Sequence, residues 1–444
     1  MNEQEPVSAD MSALLSFTAE NVGCYRDEVH LSLQGTRMAE KGVARRLAVA
    51  GTSKPIDVLP VAGIFGANAS GKTAILEAID DMRTVVEGSF RLGTPESAIY
   101  RRPFLLDEES RRRPSRFEIE LVLEGIRWQY GFELLDDRIL DEYAYHFPRG
   151  RQAMVFERNG DSPRFGPPYR TDGKAMLRAL RPNALLLSVA EALKIPDLSD
   201  LYAWFRTMMR FASSRNRGER ANTTVNLVES TEKRDRILNL LRYADLGVTG
   251  IHREMLPTEI TERVRKVMRM LSDIDDDADL EEEFNLEGVV LLTHSAAVGE
   301  ARILPQDESL GTQVWVGLIG PLIEVLDTGA VLLVDELDGS LHPRLVQKFV
   351  RLFQNTRTNP RCAQLIFNSH DTNILGDSDS RTIGRDQIWF TEKDTDGASS
   401  LYSATTFGPR RDDSIQRRYL QGRYGAVPSL NPADLERALL MADR

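Results

Sequence analysis

Eight residues from position 66 to position 73 have the types and spacing of a phosphate-binding loop. They match the pattern G-x-x-x-x-G-K-[ST] at every position. The eight residues are Gly66, Ala67, Asn68, Ala69, Ser70, Gly71, Lys72 and Thr73. A glycine-rich turn directs backbone N–H groups inward, and a following helix adds the positive end of its dipole. Lys72 is therefore predicted to contact the β- and γ-phosphates of ATP, and Thr73 to ligate Mg²⁺.

A second segment supplies carboxylates for the metal ion. The apolar run at residues 330–334 is typical of a parallel strand buried on both faces, and Asp335 and Glu336 follow it directly. We assign Mg²⁺ binding to Asp335 and polarisation of the attacking water to Glu336. The pair predicts that ATP is hydrolysed as well as bound.

The elements that must position these residues can be read from the same sequence. Residues 61–65 have the apolar character of a strand, and residues 74–82 have apolar positions at helical spacing. Between residues 115 and 147 the pattern alternates like antiparallel strands, with turns at Glu124-Gly125 and Asp136-Asp137. From about residue 172 to residue 270 the spacing is mostly helical, and an acidic run at residues 272–284 predicts a solvated loop.

Two more segments complete an order that resembles a known group of proteins. Ser309 and Gly311 form a turn before an amphipathic helix, and Ser369 and His370 follow a short strand. Loop, turn, acidic pair and histidine resemble the motifs of ABC-type head ATPases, which include the structural-maintenance-of-chromosomes, RecF and OLD proteins. The resemblance implies that Ser309 and Gly311 meet the γ-phosphate held by the opposite subunit, and that His370 also contacts it. His342, in "SLHP", competes with His370 for that role.

The resemblance narrows to one set of bacterial ATPases. The segments "ESLGTQ", "LLVDELDGSLHP", "NSHDTNIL" and the tail from "DQIWFTEKD" onward look like AAA-family ATPases of two-gene abortive-infection and phage-defence systems. This likeness implies ATP and Mg²⁺ as cofactors and a homo-dimer or higher homo-oligomer joined through the heads. It also implies a separate effector, expected to be a nuclease, because the sequence shows no nuclease constellation of its own.

Several positions depart from the pattern of that group. Transporter-type signatures read Leu-Ser-Gly-Gly-Gln, whereas residues 309–313 read Ser-Leu-Gly-Thr-Gln. His342 stands where chromosome-maintenance proteins carry aspartate in their dimer-facing loop. Residues 74–130 contain no convincing Q-loop glutamine. These departures concern the contacts between subunits and leave the prediction of nucleotide binding unchanged.

The expected fold is an α/β ABC-type ATPase head with a mixed central sheet, an antiparallel outer sheet and a helical insert. The expected domains are an N-terminal ATPase lobe (1–170), the helical insert (171–284) and a C-terminal ATPase lobe (285–444). A chain of 444 residues suits two or more such lobes.

Bulk composition limits the other function classes. There are two cysteines, Cys24 and Cys362, which argues against a disulfide framework and for a reducing compartment. The sequence has no run of about eighteen apolar residues, and its N-terminus lacks a signal-peptide core. We therefore expect a cytoplasmic protein without a membrane partner.

Basic clusters leave one alternative open. A net charge of −11 does not favour nucleic-acid binding by bulk charge, yet arginines gather in three places. The clusters are Arg111, Arg112, Arg113 and Arg116; residues 213–220; and Arg410, Arg411, Arg417 and Arg418. Arginine suits phosphate recognition, so DNA remains a further candidate partner, although protein–protein contact is slightly favoured. The alternative function is a RecF-like DNA-repair ATPase that acts as an ATP-gated DNA clamp.

Overall fold

The protein is described by a computed structural model. It covers residues 11–40, 42–94, 96–255, 262–263, 266, 288–376 and 381–428. The acidic run at residues 272–284 lies outside these residues, as do residues 429–444.

The strands and helices of this part of the chain are as follows. The strands are β1 (Ala13–Glu20), β2 (Val29–Ser32), β3 (Arg45–Leu47), β4 (Ile56–Val58), β5 (Val61–Gly66), β6 (Ser115–Leu123), β7 (Ile126–Leu134), β8 (Ile139–His146), β9 (Ala153–Asn159), β10 (Ser162–Phe165), β11 (Met209–Ala212), β12 (Val248–Met255), β13 (Gly288–Ser295), β14 (Glu300–Ile303), β15 (Val331–Val334), β16 (Gln364–Asn368), β17 (Ile388–Lys393) and β18 (Ser399–Ser403). The helices are α1 (Lys72–Gly88), α2 (Glu108–Arg112), α3 (Arg170–Ala179), α4 (Leu186–Ala192), α5 (Pro196–Thr207), α6 (Arg217–Leu227), α7 (Thr231–Tyr243), α8 (Leu310–Thr328), α9 (Pro343–Gln354) and α10 (Ile415–Leu420).

The central sheet has the strand order β11-β15-β16-β5-β17-β18. Its neighbours are parallel except β17 and β18, which pair antiparallel. Alternate residues of β5 face opposite sides: Ala62 and Ile64 belong to one hydrophobic core, whereas Val61 and Phe65 belong to another. The sheet is thus buried on both faces, which explains its nearly unbroken apolar strands. The predicted mixed central sheet is confirmed.

The outer sheet is antiparallel throughout, in the order β10-β9-β8-β7-β6-β1-β2. Glu124 and Gly125 join β6 to β7 with φ of +49° and +73°. Positive φ at both central residues matches the right-handed twist of a hairpin. The structure therefore confirms the antiparallel sheet and the turn predicted from the alternating sequence.

A buried glutamate joins the outer sheet to the helices beneath it. Glu142 of β8 is fully buried and accepts hydrogen bonds from the N–H groups of Leu186 (2.6 Å) and Leu187 (3.0 Å) and from the Tyr130 hydroxyl (3.0 Å). The first two contacts satisfy N–H groups in the first turn of α4, which no side chain on α4 itself caps. Arg158 provides a buried opposite charge at 3.8 Å.

The spacing of apolar residues predicts a helical middle of the chain, but the structure contains strands there as well as helices. Helices α3 to α7 are present, but Met209–Ala212 is strand β11 at the edge of the central sheet, and Val248–Met255 is strand β12 of a separate small sheet. The helical interpretation was wrong for both segments, because a short apolar run looks alike in a strand and in a buried helix. The division into three domains stays a prediction.

Helix α6 packs closely against α8. Thr224 Oγ1 donates to the Val316 carbonyl at 2.6 Å and accepts from Gly320 N at 2.9 Å, and the Arg220 guanidinium donates to the Gly317 carbonyl at 3.3 Å. Among the described residues, α8 is the one helix long and apolar enough to cross a membrane by length and composition. Of its most apolar 18-residue stretch, 67% is buried within the protein, as expected of a core helix.

Candidate functional site

Three predicted segments meet at one edge of the central sheet. Strand β5 leads into the loop 66–73, β15 leads into Asp335, and β16 leads into Ser369. These strands are parallel neighbours, so their carboxyl ends lie side by side. Asp335 N donates to the Ala212 carbonyl at 2.8 Å, and Ser369 N donates to the Ile64 carbonyl at 3.2 Å. In open α/β sheets this carboxyl edge is where ligands bind.

The loop 66–73 has a backbone suited to an anion. Ala69 and Gly71 have φ of +59° and +110°, so the chain turns twice through the left-handed region. A Cβ on Gly71 would lie 2.9 Å from the Cys24 sulfur, which makes glycine necessary for space as well as conformation. Helix α1 then begins at Lys72 with no side-chain cap on its first N–H groups. Those donors can bind phosphate oxygens.

The side chain of Lys72 lies within the loop that it closes. It is 6% exposed, and its Nζ donates to the carbonyls of Gly66 at 3.0 Å and Ala67 at 2.8 Å. Burial lowers the pKa of Lys72, and the three carboxylates that follow β15 oppose this shift. The ammonium thus sits between the loop and the acidic end of β15, where it can exchange carbonyl oxygens for phosphate oxygens.

The two predicted metal ligands are in direct contact. Thr73 Oγ1 donates to Asp335 Oδ1 at 2.7 Å, which joins α1 to the end of β15. A hydroxyl and a carboxylate are the hard oxygen ligands that Mg²⁺ prefers, and Mg²⁺ usually takes its remaining ligands from water and phosphate. The residues present therefore fit Mg²⁺.

The two predicted catalytic residues stand on adjacent loops of the same edge. Glu336 is exposed and has a φ of +54°. His370 is also exposed, and its backbone N–H donates to both carboxylate oxygens of Asp338 at 3.2 Å. In the described part of the chain the His370 ring makes no hydrogen bond, so it is available to a ligand. Both catalytic assignments stay predictions.

The competing histidine lies elsewhere. His342 precedes α9, and its Nδ1 accepts a hydrogen bond from Arg344 N at 3.2 Å, which caps that helix. It borders a cavity that Gly311 and Ser340 also line. This arrangement places His342 beside the predicted signature turn and leaves His370 at the carboxyl edge.

The turn at Ser309 and Gly311 packs against its own chain. Ser309 Oγ accepts from Thr312 N at 3.2 Å and caps α8. A Cβ on Gly311 would lie 2.8 Å from the Ser340 carbonyl oxygen, so the two backbones are in close contact. Among the hydrogen bonds of the described residues, none joins this turn to the loop 66–73 of the same chain. Leu310, between the two, is 48% exposed and faces outward.

Sequence reasoning missed Asn368, which the structure places in the centre of the site. Its Nδ2 donates to Asp335 Oδ1 at 2.6 Å, and its Oδ1 accepts from Glu336 N at 2.6 Å. It also missed the wall of the loop, where the Tyr25 hydroxyl donates to the Gly71 carbonyl at 3.0 Å. A polar residue ending an otherwise apolar strand was a usable signal for Asn368. Tyr25 offered no such signal, because its contact depends on the fold.

This fold and this site define an ABC-type AAA ATPase head. The mixed sheet is buried on both faces, the phosphate-binding loop follows β5, and the acidic pair follows β15, two strands away in the sheet. The chain belongs to the family described as AAA domain, putative AbiEii toxin, Type IV TA system, whose model matches residues 61–376. That match covers more than half of the chain and includes every predicted site residue. No curated protein matches the chain.

Solved structures similar to the chain include heads of chromosome-maintenance proteins. One is the SMC head domain from Thermotoga maritima, at 12% identity and a TM-score of 0.38, covering 88% of this chain and 98% of that one. Another is the Smc head domain with an extended coiled coil bound to the C-terminal domain of ScpA, derived from Pyrococcus furiosus. It has 13% identity and a TM-score of 0.36, and covers 88% of this chain and 96% of that one.

Proposed function

We propose that this protein binds ATP with Mg²⁺ and hydrolyses it at the carboxyl edge of the central sheet. The observation that carries the proposal is the 2.7 Å hydrogen bond between Thr73 and Asp335, which brings the phosphate-binding loop and the acidic pair into one site. Lys72 and the N–H groups of the loop would bind the phosphates, and Thr73 and Asp335 would hold the metal ion. When bound, Mg²⁺ neutralises charge on the β- and γ-phosphates.

Glu336 is the residue we propose to orient the attacking water. It follows the metal ligand directly and is exposed at the edge where the γ-phosphate would lie. His370 would donate a hydrogen bond to that phosphate from the neighbouring loop. Steady-state hydrolysis with Mg²⁺, and with Mg²⁺ removed by a chelator, tests the activity. Hydrolysis that survives complete chelation, or no hydrolysis by a well-folded protein, would contradict it.

At the level of the cell, we propose a cytoplasmic sensor ATPase of an antiviral defence system that assembles through its heads and controls a separate effector, a nuclease. The family description, with its putative AbiEii toxin and Type IV TA system, supports a role in a multi-gene system of this kind. The exposed Leu310 beside Ser309 supports pairing of heads at that turn. The two thiols, Cys24 and Cys362, are unpaired, which suits a reducing cytoplasm.

A groove between α7 and α9 is the surface we propose for the effector. It is a cavity of about 520 Å³ lined in part by Tyr243, Leu345 and Lys348. The adjoining cavity beside Gly311 and His342 is left to the pairing of heads. Trp315 and Phe349, which are 1% and 0% exposed, lie buried at the base of the groove, and Tyr243 at its edge is 59% exposed. An exposed aromatic over an apolar groove is typical of a protein-binding surface.

The charge along the groove indicates what kind of segment binds there. Arg344, Lys348 and Arg351 are exposed at the spacing of one face of α9, and none forms an ion pair within the described residues. An apolar effector segment flanked by acidic side chains would complement this cationic rim. Co-expression of the chain with its neighbouring genes, followed by mass measurement of the purified complex, tests the assembly. The double variant Lys348→Glu/Arg351→Glu should release the effector.

The matched control for that experiment lies on α3, which does not line the groove. Lys174→Glu/Arg178→Glu reverses two exposed cations on α3 and changes the net charge equally. The control should retain the effector. Equal retention by both double variants would contradict the groove, and a lone monomer from the co-expressed genes would contradict the sensor role.

DNA remains the alternative partner, with the RecF-like clamp as the corresponding function. In the first basic cluster, however, Arg111 donates to the Leu105 carbonyl at 2.9 and 2.6 Å, Arg112 pairs with Glu108, and Arg116 pairs with Glu28. In the second cluster Arg215 pairs with Glu77 on α1, and Arg220 is buried. Arginines engaged in this way are less available to phosphates, so we favour a protein partner.

A further inference from the structure

The side chain of Asn368 lies between the carboxylate assigned to the metal ion and the backbone of the residue assigned to the attacking water. Asn368 ends β16 and is fully buried. Strands β15 and β16 are parallel with Val334 opposite Phe367, so the next residues of the two strands, Asp335 and Asn368, meet at the edge. The register of the sheet therefore fixes this contact.

The two ends of the amide have different partners. Nδ2 donates to Asp335 Oδ1 at 2.6 Å and lies 3.4 Å from Thr73 Oγ1, whereas Oδ1 accepts from Glu336 N at 2.6 Å. A carboxylate can only accept and a backbone N–H can only donate, so the site requires one donor and one acceptor on the same short side chain. Asparagine meets this requirement, and aspartate at the same position would place two carboxylates together.

The backbone held by this amide is in an unfavourable conformation. Glu336 has a φ of +54°, a backbone conformation that residues other than glycine rarely adopt. Besides the bond from Glu336 N, Leu337 N donates to the Asn368 carbonyl at 3.1 Å and Gly339 N donates to the Glu336 carbonyl at 2.8 Å. Such conformations persist where the surroundings over-determine them, and they gather at active sites. The direction in which the Glu336 side chain leaves the strand thus depends on Asn368.

We propose that Asn368 is a positioning residue that sets the metal-binding carboxylate and the water-orienting carboxylate in fixed relation to each other. It acts through Asp335 and through the backbone of Glu336, and touches neither phosphate nor water itself. The proposal rests on the proposed Mg²⁺-dependent hydrolysis of ATP. It adds that the gain in ATP affinity on adding Mg²⁺ depends on Asn368, whereas the affinity that comes from the contacts of the loop 66–73 does not.

Two substitutions separate the parts of this role. Asn368→Asp keeps an acceptor for Glu336 N but replaces the donor to Asp335 by a negative charge, whereas Asn368→Leu removes both bonds. The matched control is Asn359→Asp, because Asn359 is also buried and its amide also bonds backbone groups, those of Phe353 and Ala363 at 2.7–2.8 Å. ATP binding is measured by calorimetry with and without Mg²⁺, and turnover is measured at saturating ATP.

For Asn368→Asp, ATP affinity in the presence of a chelator should stay within about threefold of the unchanged protein. The gain in affinity on adding Mg²⁺ should fall at least tenfold, and kcat at least a hundredfold. Asn359→Asp should lower thermal stability and leave both quantities within threefold. A folded Asn368→Asp variant with normal Mg²⁺ dependence and normal kcat would overturn the proposal.

Hydrogen exchange of the segment 335–340 provides a readout that needs neither metal nor turnover. In Asn368→Leu this segment should exchange at least tenfold faster than in the unchanged protein, and in Asn359→Asp it should not. If Asn368→Leu does not fold, Asn368→Ser, which is smaller and uncharged, takes its place. An unchanged exchange rate in a folded variant would overturn the role of Asn368. An unchanged protein that shows no Mg²⁺-dependent hydrolysis would instead overturn the proposed function, and exchange would still test the positioning.

Discussion

Replacement of Lys72 by alanine should weaken ATP binding while the fold persists. The ammonium of Lys72 already makes two hydrogen bonds, to the carbonyls of Gly66 and Ala67. On binding ATP, it would exchange them for bonds to phosphate oxygens. The net gain is the difference between the two states, and it is smaller than the sum of two new bonds.

The size of that difference can be bounded. A hydrogen bond to a charged group is worth about 1.5–3 kcal/mol, and a bond between two charged groups lies toward the upper end. Exchanging two carbonyl acceptors for two phosphate acceptors should then be worth about 1–3 kcal/mol. Because about 1.4 kcal/mol corresponds to a tenfold change in Kd, Lys72→Ala should weaken ATP binding roughly 5- to 140-fold.

Calorimetric titration with a non-hydrolysed ATP analogue measures this effect. Lys72→Arg is the informative companion, because it keeps the charge but replaces the compact ammonium by a planar guanidinium. Lys174→Ala, on the exposed face of α3, controls for loss of charge alone. A Kd for Lys72→Ala within threefold of the unchanged protein would refute the assignment of the loop, provided that thermal unfolding shows an intact fold.

Four further substitutions test other parts of the structure. Glu336→Gln should bind ATP within about threefold of normal but lower kcat by roughly 10²- to 10⁴-fold, the usual worth of a group that handles a proton; normal turnover would exclude this role. Gly311→Ala should lower the free energy of unfolding by about 1–3 kcal/mol even without ATP, since the new Cβ meets a backbone oxygen. Leu310→Arg should unfold normally in denaturant but block the ATP-driven pairing of heads. Mixing Leu310→Arg with Lys72→Ala subunits should restore part of the hydrolysis. In each mixed dimer one of the two sites then combines a normal phosphate-binding loop from one subunit with a normal Ser309–Gly311 turn from the other. No recovery after verified mixing would contradict a site shared between two subunits. Glu142→Leu should lower the free energy of unfolding by about 3–5 kcal/mol, since it leaves a buried arginine unpaired, and a loss under 1 kcal/mol would contradict that reading.

The sequence predicted well those parts of the site that short local patterns determine. The strand, loop and helix around Lys72 could be read because an apolar run, a glycine-rich turn and a helical period follow one another directly. Asp335 could be read because it ends a strand whose composition indicated burial on both faces. The hairpin at Glu124 could be read because alternation and a turn occur together.

Other parts depend on contacts between distant segments. Met209–Ala212 resembles the helical residues that precede it, and it becomes a strand because β15 offers a parallel partner. Asn368 gains its role from the register between β16 and β15, which no local pattern encodes. The same is true of Tyr25, 46 positions before the Gly71 carbonyl that its hydroxyl binds.

The contact between Gly311 and the Ser340 carbonyl changes what an alignment of relatives could reveal. A glycine is required at position 311 by packing within one chain, since any Cβ would lie 2.8 Å from that oxygen. Purifying selection would therefore preserve this glycine in monomeric and dimeric relatives alike, and its conservation carries no information about a second subunit. Leu310, half exposed and unconstrained by that packing, is the position where evolutionary restriction would report an interface between heads.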